Sequence, residues 1–252
     1  MKIISTKHIQ IYQMKCNTNL LEAELVEDEE IKIHINDYLF VSFICIRNNL
    51  ESLAIGYLIH IGLNLEQIKL INIKENDIFI NCNISKEDFL NLVNKTDPIP
   101  TCQSIYLHKN NNLKNIIPFN GTKVNLDSIQ LSSILKSLDL EIGLFKAYLI
   151  HEEKIYFAND VNAKNAIYKV FGEFFTKQNC QNCLIESTLV INFPLSIEIL
   201  KQVLMYKITF IVFISPPSFT TVKYAQKYGL TIIEMKSCKE FKIYTHHSRI
   251  KN

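Results

Sequence analysis

Ile208-Thr209-Phe210-Ile211-Val212-Phe213-Ile214-Ser215, then Pro216-Pro217-Ser218, then Phe219 to Gly229, then Leu230-Thr231-Ile232-Ile233-Glu234-Met235, is the stretch that decides the fold. Its first eight residues are a β-branched and aromatic run without polar alternation, the pattern of a strand covered on both faces. Pro216 and Pro217 end that strand because neither can donate to a ladder, and Ser218 is placed to cap a helix. Phe219, Val222, Ala225 and Gln226 give the helix an inward face. Gly229 supplies the residue that takes positive φ after the last turn. Leu230 to Met235 is a second buried strand, so the segment predicts a β-α-β unit with parallel strands and a right-handed crossover. Ligands of such sheets lie beyond the carboxyl ends of the strands, here Ser215 to Ser218 and the residues after Ile233.

The 252-residue chain is 48% hydrophobic, enough for a sizeable core. With 27 Lys and Arg against 25 Asp and Glu, its net charge of +2 gives no general attraction to nucleic acid or to an acidic membrane. No window approaches the roughly 18 apolar residues of a membrane helix, and Met1 to Leu20 does not resemble a signal peptide, so the expected location is the cytoplasm. Seven scattered cysteines, an odd number, fit reduced thiols.

Outward from the deciding stretch, Met1 to Leu20 is weakly patterned. Glu30 to Asn36 alternates like a half-buried strand, and Tyr38 to Ile46 forms a hairpin with it through Asn36-Asp37. Cys45 reads as a small buried hydrophobe. Asn48 or Asn49 caps a helix from Leu50 to Ile61, ended by Gly62, with His60 on its surface. Strand-like runs at Ile68 to Ile73 and Asp77 to Ile84 and a helix around Lys86 to Val93 complete an N-terminal α+β unit. Asp97-Pro98-Ile99-Pro100 breaks the pattern, and the Asn-rich stretch Thr101 to Asn125 reads as a long loop carrying one thiol, Cys102. Unstructured loops longer than about 12–15 residues inside a compact protein are usually functional or mobile. The two expected units are residues 1–126, which include that loop, and residues 127–252. In the second, an amphipathic helix at Asp127 to Leu140 precedes strands at Phe145 to Ile150 and Ile155 to Ala158. Asn159-Asp160 caps a helix through Phe175, Leu184 to Phe193 is a strand, Ser196 opens a helix to Tyr206, and the last strand is Phe241 to Thr245. That order is a three-layer α/β domain with a mixed sheet.

Several of these stretches together resemble the formate dehydrogenase accessory sulfurtransferase family, the FdhD family. Glu30 to Asn36 with Leu53-Ala54-Ile55-Gly56-Tyr57-Leu58 and Gly62 is similar to its N-terminal strand and helix. Asn159-Asp160-Val161, Asn165-Ala166, Lys169 and Gly172 resemble its EDVGRHNA.DK..G block. Ser196-Ile197-Glu198, Ser215 to Ala225, Leu230-Thr231, Tyr244-Thr245-His246 and Arg249-Ile250 follow in the family's order. The resemblance implies a C-terminal domain similar to cytidine deaminases without their zinc. It also implies a role in carrying sulfur as a cysteine persulfide, from a cysteine desulfurase to the molybdenum bis-guanine-dinucleotide cofactor of formate dehydrogenase, and a homodimer. It makes Cys102 the thiol that bears the sulfur, and places the guanine-dinucleotide contacts at Met235, Lys236, Ser237, Cys238, Lys239 and Glu240. Ser215 and Ser218 stand at the same crevice by the topological rule. Lys236 and Lys239 attract a diphosphate, and the helix beginning at Ser218 adds N–H donors.

The chain departs from the family at informative positions. Gln103, Ser104 and Ile105 follow Cys102, so the family's C-x-x-C keeps one thiol, which can hold a persulfide but cannot resolve it as an internal disulfide. The family's histidine of GG.HaA is Lys146, its Arg-His pair is Ala163 and Lys164, and the arginine of SGR is Pro194. Those lost groups are of the kind that hold phosphorylated ligands, and lysines at 146, 164 and 201 supply charge without the planar fork. Cys180-Gln181-Asn182-Cys183 is a second C-x-x-C, between a helix and a strand, and reads as surface thiols before a relocated redox pair or a metal site. Neither a Walker loop nor the H-x-E…P-C-x-x-C of zinc deaminases is present. Two functional classes stay open: a sulfur carrier that depends on Cys102, and a chaperone that holds the cofactor or an apo-enzyme without moving sulfur.

Overall fold

The computed structural model describes residues 4–11, 19–95, 143–178, 184–237 and 240–250. The first two strands, β1 (Ile4–Ile11) and β2 (Asn19–Val26), form an antiparallel ribbon. The weak patterning of this region gave no strand. The pairing sets Thr6 beside Glu24 and His8 beside Glu22, so it does not use the apolar alternation by which strands are recognised.

β3 (Glu29–Ile35) and β4 (Tyr38–Cys45) are the expected hairpin. Asn36 and Asp37 both have positive φ, at 48° and 71°, the turn whose twist matches that of the flanking strands. Helix α1 (Leu50–His60) follows, then β5 (Ile68–Lys74), β6 (Asp77–Cys82) and α2 (Lys86–Lys95). The second sheet has the order β4-β3-β6-β5, with β3 and β6 parallel. Asn49 precedes α1 but makes no side-chain cap, and Asn48, the other candidate, is drawn off to residues beyond 150. His60 is not on the surface: it is 7% exposed, its ring 5.3 Å from that of Tyr168 and 5.8 Å from that of Tyr206.

From residue 145 onward the elements are β7 (Phe145–His151), β8 (Lys154–Asp160), α3 (Ala163–Gln178), β9 (Thr188–Ile191), α4 (Ile197–Met205), β10 (Phe210–Phe213), α5 (Phe219–Tyr228), β11 (Thr231–Ser237) and β12 (Glu240–Ile243). Their sheet runs β12-β11-β10-β9-β7-β8, with β9, β10 and β11 parallel and the rest antiparallel, so it is the mixed sheet expected. The deciding β-α-β unit is present, with Ser218 accepting from Thr221 N and Gly229 at φ 75°. Its first strand shrinks to four residues, because Lys207 turns the chain at φ 61° and a bend follows at Ile214 and Ser215. The strand expected at Leu184 to Phe193 likewise divides into a 3-10 turn at Leu184–Glu186 and the short β9. In α5 the inward residues are Thr221 and Ala225 with Val222 packed beside them, whereas Phe219 and Gln226, expected inward, are exposed.

One core joins both parts of the chain. Ile31, Ile33 and Ile35 of β3, Leu53, Ala54 and Leu58 of α1, Val170, Phe171 and Phe174 of α3, and Leu189, Ile211 and Ile232 of the larger sheet belong to a single buried cluster. The boundary expected at 126/127 lies outside the described residues, as do the loop and helix expected at 101–125 and 127–140. α1 and α3 cross with backbones almost in contact. A Cβ on Gly56 would stand 1.9 Å from the Tyr168 carbonyl oxygen, and one on Gly172 would stand 1.8 Å from that of Ser52. Only glycine permits such an approach. Above the crossing, the Tyr206 hydroxyl donates to Gly56 O at 2.8 Å. The opposite face of the larger sheet carries a separate apolar cluster of Tyr148, Val190, Val212, Ile233 and Met235. No helix among the described residues is long and apolar enough to cross a membrane.

Candidate functional site

The carboxyl ends of β9, β10 and β11 set the edge where a ligand of this sheet would lie. The ladder between β10 and β11 ends with Phe213 beside Glu234, so Ser215 and Lys236 each lie two residues beyond the last pair at this edge. Asn192 follows β9 at the same edge, where its side chain accepts from Lys146 N at 2.6 Å and donates to Leu144 O at 3.2 Å. The start of β7 and the end of β8 complete the edge, with Lys146 opposite Asn159 and Phe145 opposite Asp160.

Six of the eight predicted contacts fall within the described residues. The Ser218 hydroxyl is committed to its own helix, accepting from Thr221 N at 3.2 Å. The Ser215 Oγ is buried and has no hydrogen-bond partner among the described residues. Met235 is buried in the apolar cluster on the face away from the helices, so its side chain is not offered to the edge. Lys236, Ser237 and Glu240 are exposed, and Ser237 Oγ accepts from Glu240 N at 3.1 Å, closing the turn between β11 and β12. Cys238 and Lys239 within that turn lie outside the described residues, as do Cys102, Cys180 and Cys183.

Beside this turn stands a group that the sequence did not single out. Glu234 is buried, accepts from the Tyr244 hydroxyl at 2.5 Å, and has Lys242 Nζ at 3.9 Å. The hydrogen bond to Glu234 holds the Tyr244 phenol above its ordinary value. The signal available was Tyr244 itself, read only as part of a resembling block. The rest of that block works at the other end of the sheet. Thr245 Oγ1 donates to Leu230 O at 2.5 Å and accepts from Ile232 N at 3.1 Å, and Arg249 donates to Gly229 O.

The block from Asn159 to Gly172 is a clamp. Asp160, expected as a helix cap, is instead the last residue of β8, and its carboxylate forms a 2.6 Å ion pair with Lys169 in which both side chains are 0% exposed. Lys169 Nζ also donates to Ile46 O at 2.9 Å and to Asn48 Oδ1 at 2.6 Å, while Asn48 donates to Asn159 Oδ1 at 2.8 Å. Asn165 donates to Ile44 O at 2.9 Å and to Asp160 Oδ1 at 3.3 Å. Burial pushes the Asp160 carboxyl up from its ordinary value, against the pull of Lys169. The end of β4 is thereby tied to the edge of the larger sheet.

Of the three lysines that could supply the lost charge, Lys146 is 5% exposed. Burial lowers the Lys164 ammonium, with Glu198 opposing, and Lys201 Nζ lies 5.9 Å from the centre of the Tyr224 ring. Among the described residues no group of three or more His, Cys, Asp or Glu could hold a metal ion. Cys45 and Cys82 are buried free thiols, pushed up by burial to about 12 and about 11. Neither is a nucleophile at neutral pH.

The chain matches the model of the FdhD/NarQ family over residues 26–251. It is 24% identical to the sulfur carrier protein FdhD of Wolinella succinogenes over 243 residues, covering 91% of this chain and 83% of that protein. With the sulfur carrier protein FdhD of Bacillus pumilus it shares 26% identity over 259 aligned positions, covering 94% and 93%. Its fold matches the crystal structure assigned to a formate dehydrogenase accessory protein of Desulfotalea psychrophila, with a TM-score of 0.77, 16% identity and coverage of 99% and 100%. The ordered blocks on α1, α3 and the sheet edges are accordingly parts of one inherited framework, and this chain belongs to the FdhD/NarQ family.

Proposed function

We propose that this protein is a sulfur carrier in the maturation of formate dehydrogenase, holding sulfur as a persulfide on Cys102. The observation that carries the reading is the family match over residues 26–251, with relatives named as sulfur carriers aligned along 83% and 93% of their length. A cysteine desulfurase is the donor. The Cys102 thiolate attacks the outer sulfur of the donor's persulfide, a new S–S bond forms on Cys102, and the donor cysteine leaves as its thiolate. Delivery of that sulfur as sulfide consumes two electrons. Gln103, Ser104 and Ile105 provide no neighbouring cysteine, so an external dithiol supplies them. The acceptor is the molybdenum bis-guanine-dinucleotide cofactor, held at the carboxyl edge by Lys236, Lys239 and the first turn of α5, in a homodimer. Exposed Lys236 and the Ser215 hydroxyl, unpartnered among the described residues, support this placement.

The test is mass spectrometry after incubation with a cysteine desulfurase and cysteine. The expected result is one added sulfur on Cys102, lost in Cys102→Ser together with support of formate dehydrogenase, while Cys180→Ser and Cys183→Ser are silent. Full support from Cys102→Ser would leave a cofactor-holding chaperone as the function. A requirement for Cys180 and Cys183 instead would move the carrier to that pair.

A further inference from the structure

Phe219 is the most exposed large apolar side chain among the described residues, at 74%. It is the first residue of α5, directly after the Ser218 cap and at the carboxyl edge of β10. A phenylalanine left this far in water forfeits the free energy that its burial would contribute. Its ring is also held: Lys223, one turn on, places Nζ 4.7 Å from the ring centre. The cation stands over a ring that is otherwise largely exposed. A ring polarised in this way by a cation favours an electron-rich partner on its opposite face. The same sheet edge carries groups suited to a diphosphate: exposed Lys236 two residues past the last pair of β10 with β11, and the N–H groups of Phe219 and Thr220, which open the helix without an acceptor inside it. An aromatic plane beside donors for a diphosphate is the arrangement that takes a nucleotide by its base and its phosphates together.

We propose that Phe219, backed by Lys223, is the stacking platform for the guanine base of the nucleotide bound at the carboxyl edge. The proposal rests on the reading of that edge as the cofactor site.

The chain contains no tryptophan, so Phe219→Trp makes a single fluorescent reporter at the proposed platform. Guanosine diphosphate should quench its emission with saturation, and inorganic pyrophosphate should not. In calorimetry, Phe219→Ala should weaken guanosine diphosphate roughly five- to a hundredfold, as loss of one stacked base does, and leave pyrophosphate binding unchanged. Phe219→Leu, which keeps the bulk without the π face, should fall between. Because the side chain is exposed, circular dichroism and thermal midpoint should match the wild type in all three. If the wild-type protein binds no guanosine diphosphate at millimolar ligand, the cofactor reading and the platform both fall. Binding that is weakened by Lys236→Glu yet indifferent to Phe219→Ala overturns the platform alone.

Discussion

Replacing Lys169 by methionine tests the clamp between the two parts of the chain. The substitution keeps the length of the side chain and removes the cation from a place where both it and Asp160 are 0% exposed. Three acceptors lose their partner: the Asp160 carboxylate at 2.6 Å, Asn48 Oδ1 at 2.6 Å and the Ile46 carbonyl at 2.9 Å. Breaking one side of a buried pair costs about 3–5 kcal/mol, because the other charge stays buried and uncompensated. Against a total stability of about 5–15 kcal/mol this is a large fraction. With a urea dependence of about 2–3 kcal/mol per molar, the unfolding midpoint should fall by about 1–2 M. The deficit should also depend on pH. A carboxyl whose folded value lies above its unfolded one stabilises the fold below the unfolded value and loses that stabilisation as pH rises through the folded value. Asp160 is already raised by burial, and removing Lys169 removes the group that opposes the rise. The variant should therefore be weakest at neutral pH and recover on acidification. Asp160→Asn added to Lys169→Met should restore much of the loss, since the amide oxygen can still accept from Asn162 N and Asn165. A single-variant loss under about 1 kcal/mol, or a double variant no better than the single, would refute the account.

Gly56→Ala and Gly172→Ala should each destabilise by more than the roughly 1–3 kcal/mol of ordinary overpacking, because the new methyl meets backbone oxygen rather than a side chain that can turn away. Thermal unfolding followed by circular dichroism checks this, and midpoints unchanged from the wild type would show that the helices can separate at little cost. Cys45 and Cys82, raised to about 12 and about 11, should resist iodoacetamide at pH 7.5 in the native protein and react once it is unfolded in urea, as peptide mass spectrometry would show.

The sequence was most legible where local chemistry and the final contacts agree. At 208–235 an apolar run, two prolines, a serine cap and a glycine stop all favour the same β-α-β unit, and no distant partner interferes. It was misleading where a polar residue had a better partner far along the chain. Asn48 and Asp160 look like helix caps because nothing local shows that Lys169 will engage both of them. His60 looks like a surface residue because the tyrosines that cover it, Tyr168 and Tyr206, lie more than a hundred positions away. Phe219 read as core for the opposite reason: its spacing fits the inward face, yet its position at the first turn carries it past the end of the sheet. Of the site, the edge was predictable from topology, and Ser215 and Lys236 both follow the last paired residues of β10 and β11. Glu234 was not, because an acidic residue inside an apolar strand gives no hint of the tyrosine ten positions later that accompanies it.

The near-contact of α1 with α3 also bears on how the chain is made. Gly56 and Tyr206, joined by a hydrogen bond, are separated by 150 positions, and the glycine opposite Gly56 is Gly172. α1 is buried on almost every side in the finished protein, with Leu53, Ala54, Ile55, Tyr57 and Leu58 all covered. During synthesis at roughly 5–20 residues per second, this helix leaves the ribosome on the order of ten seconds before its partner can reach it. Over that interval the apolar side chains of this helix have no α3 to cover them, and the notch at Gly56 stays unfilled.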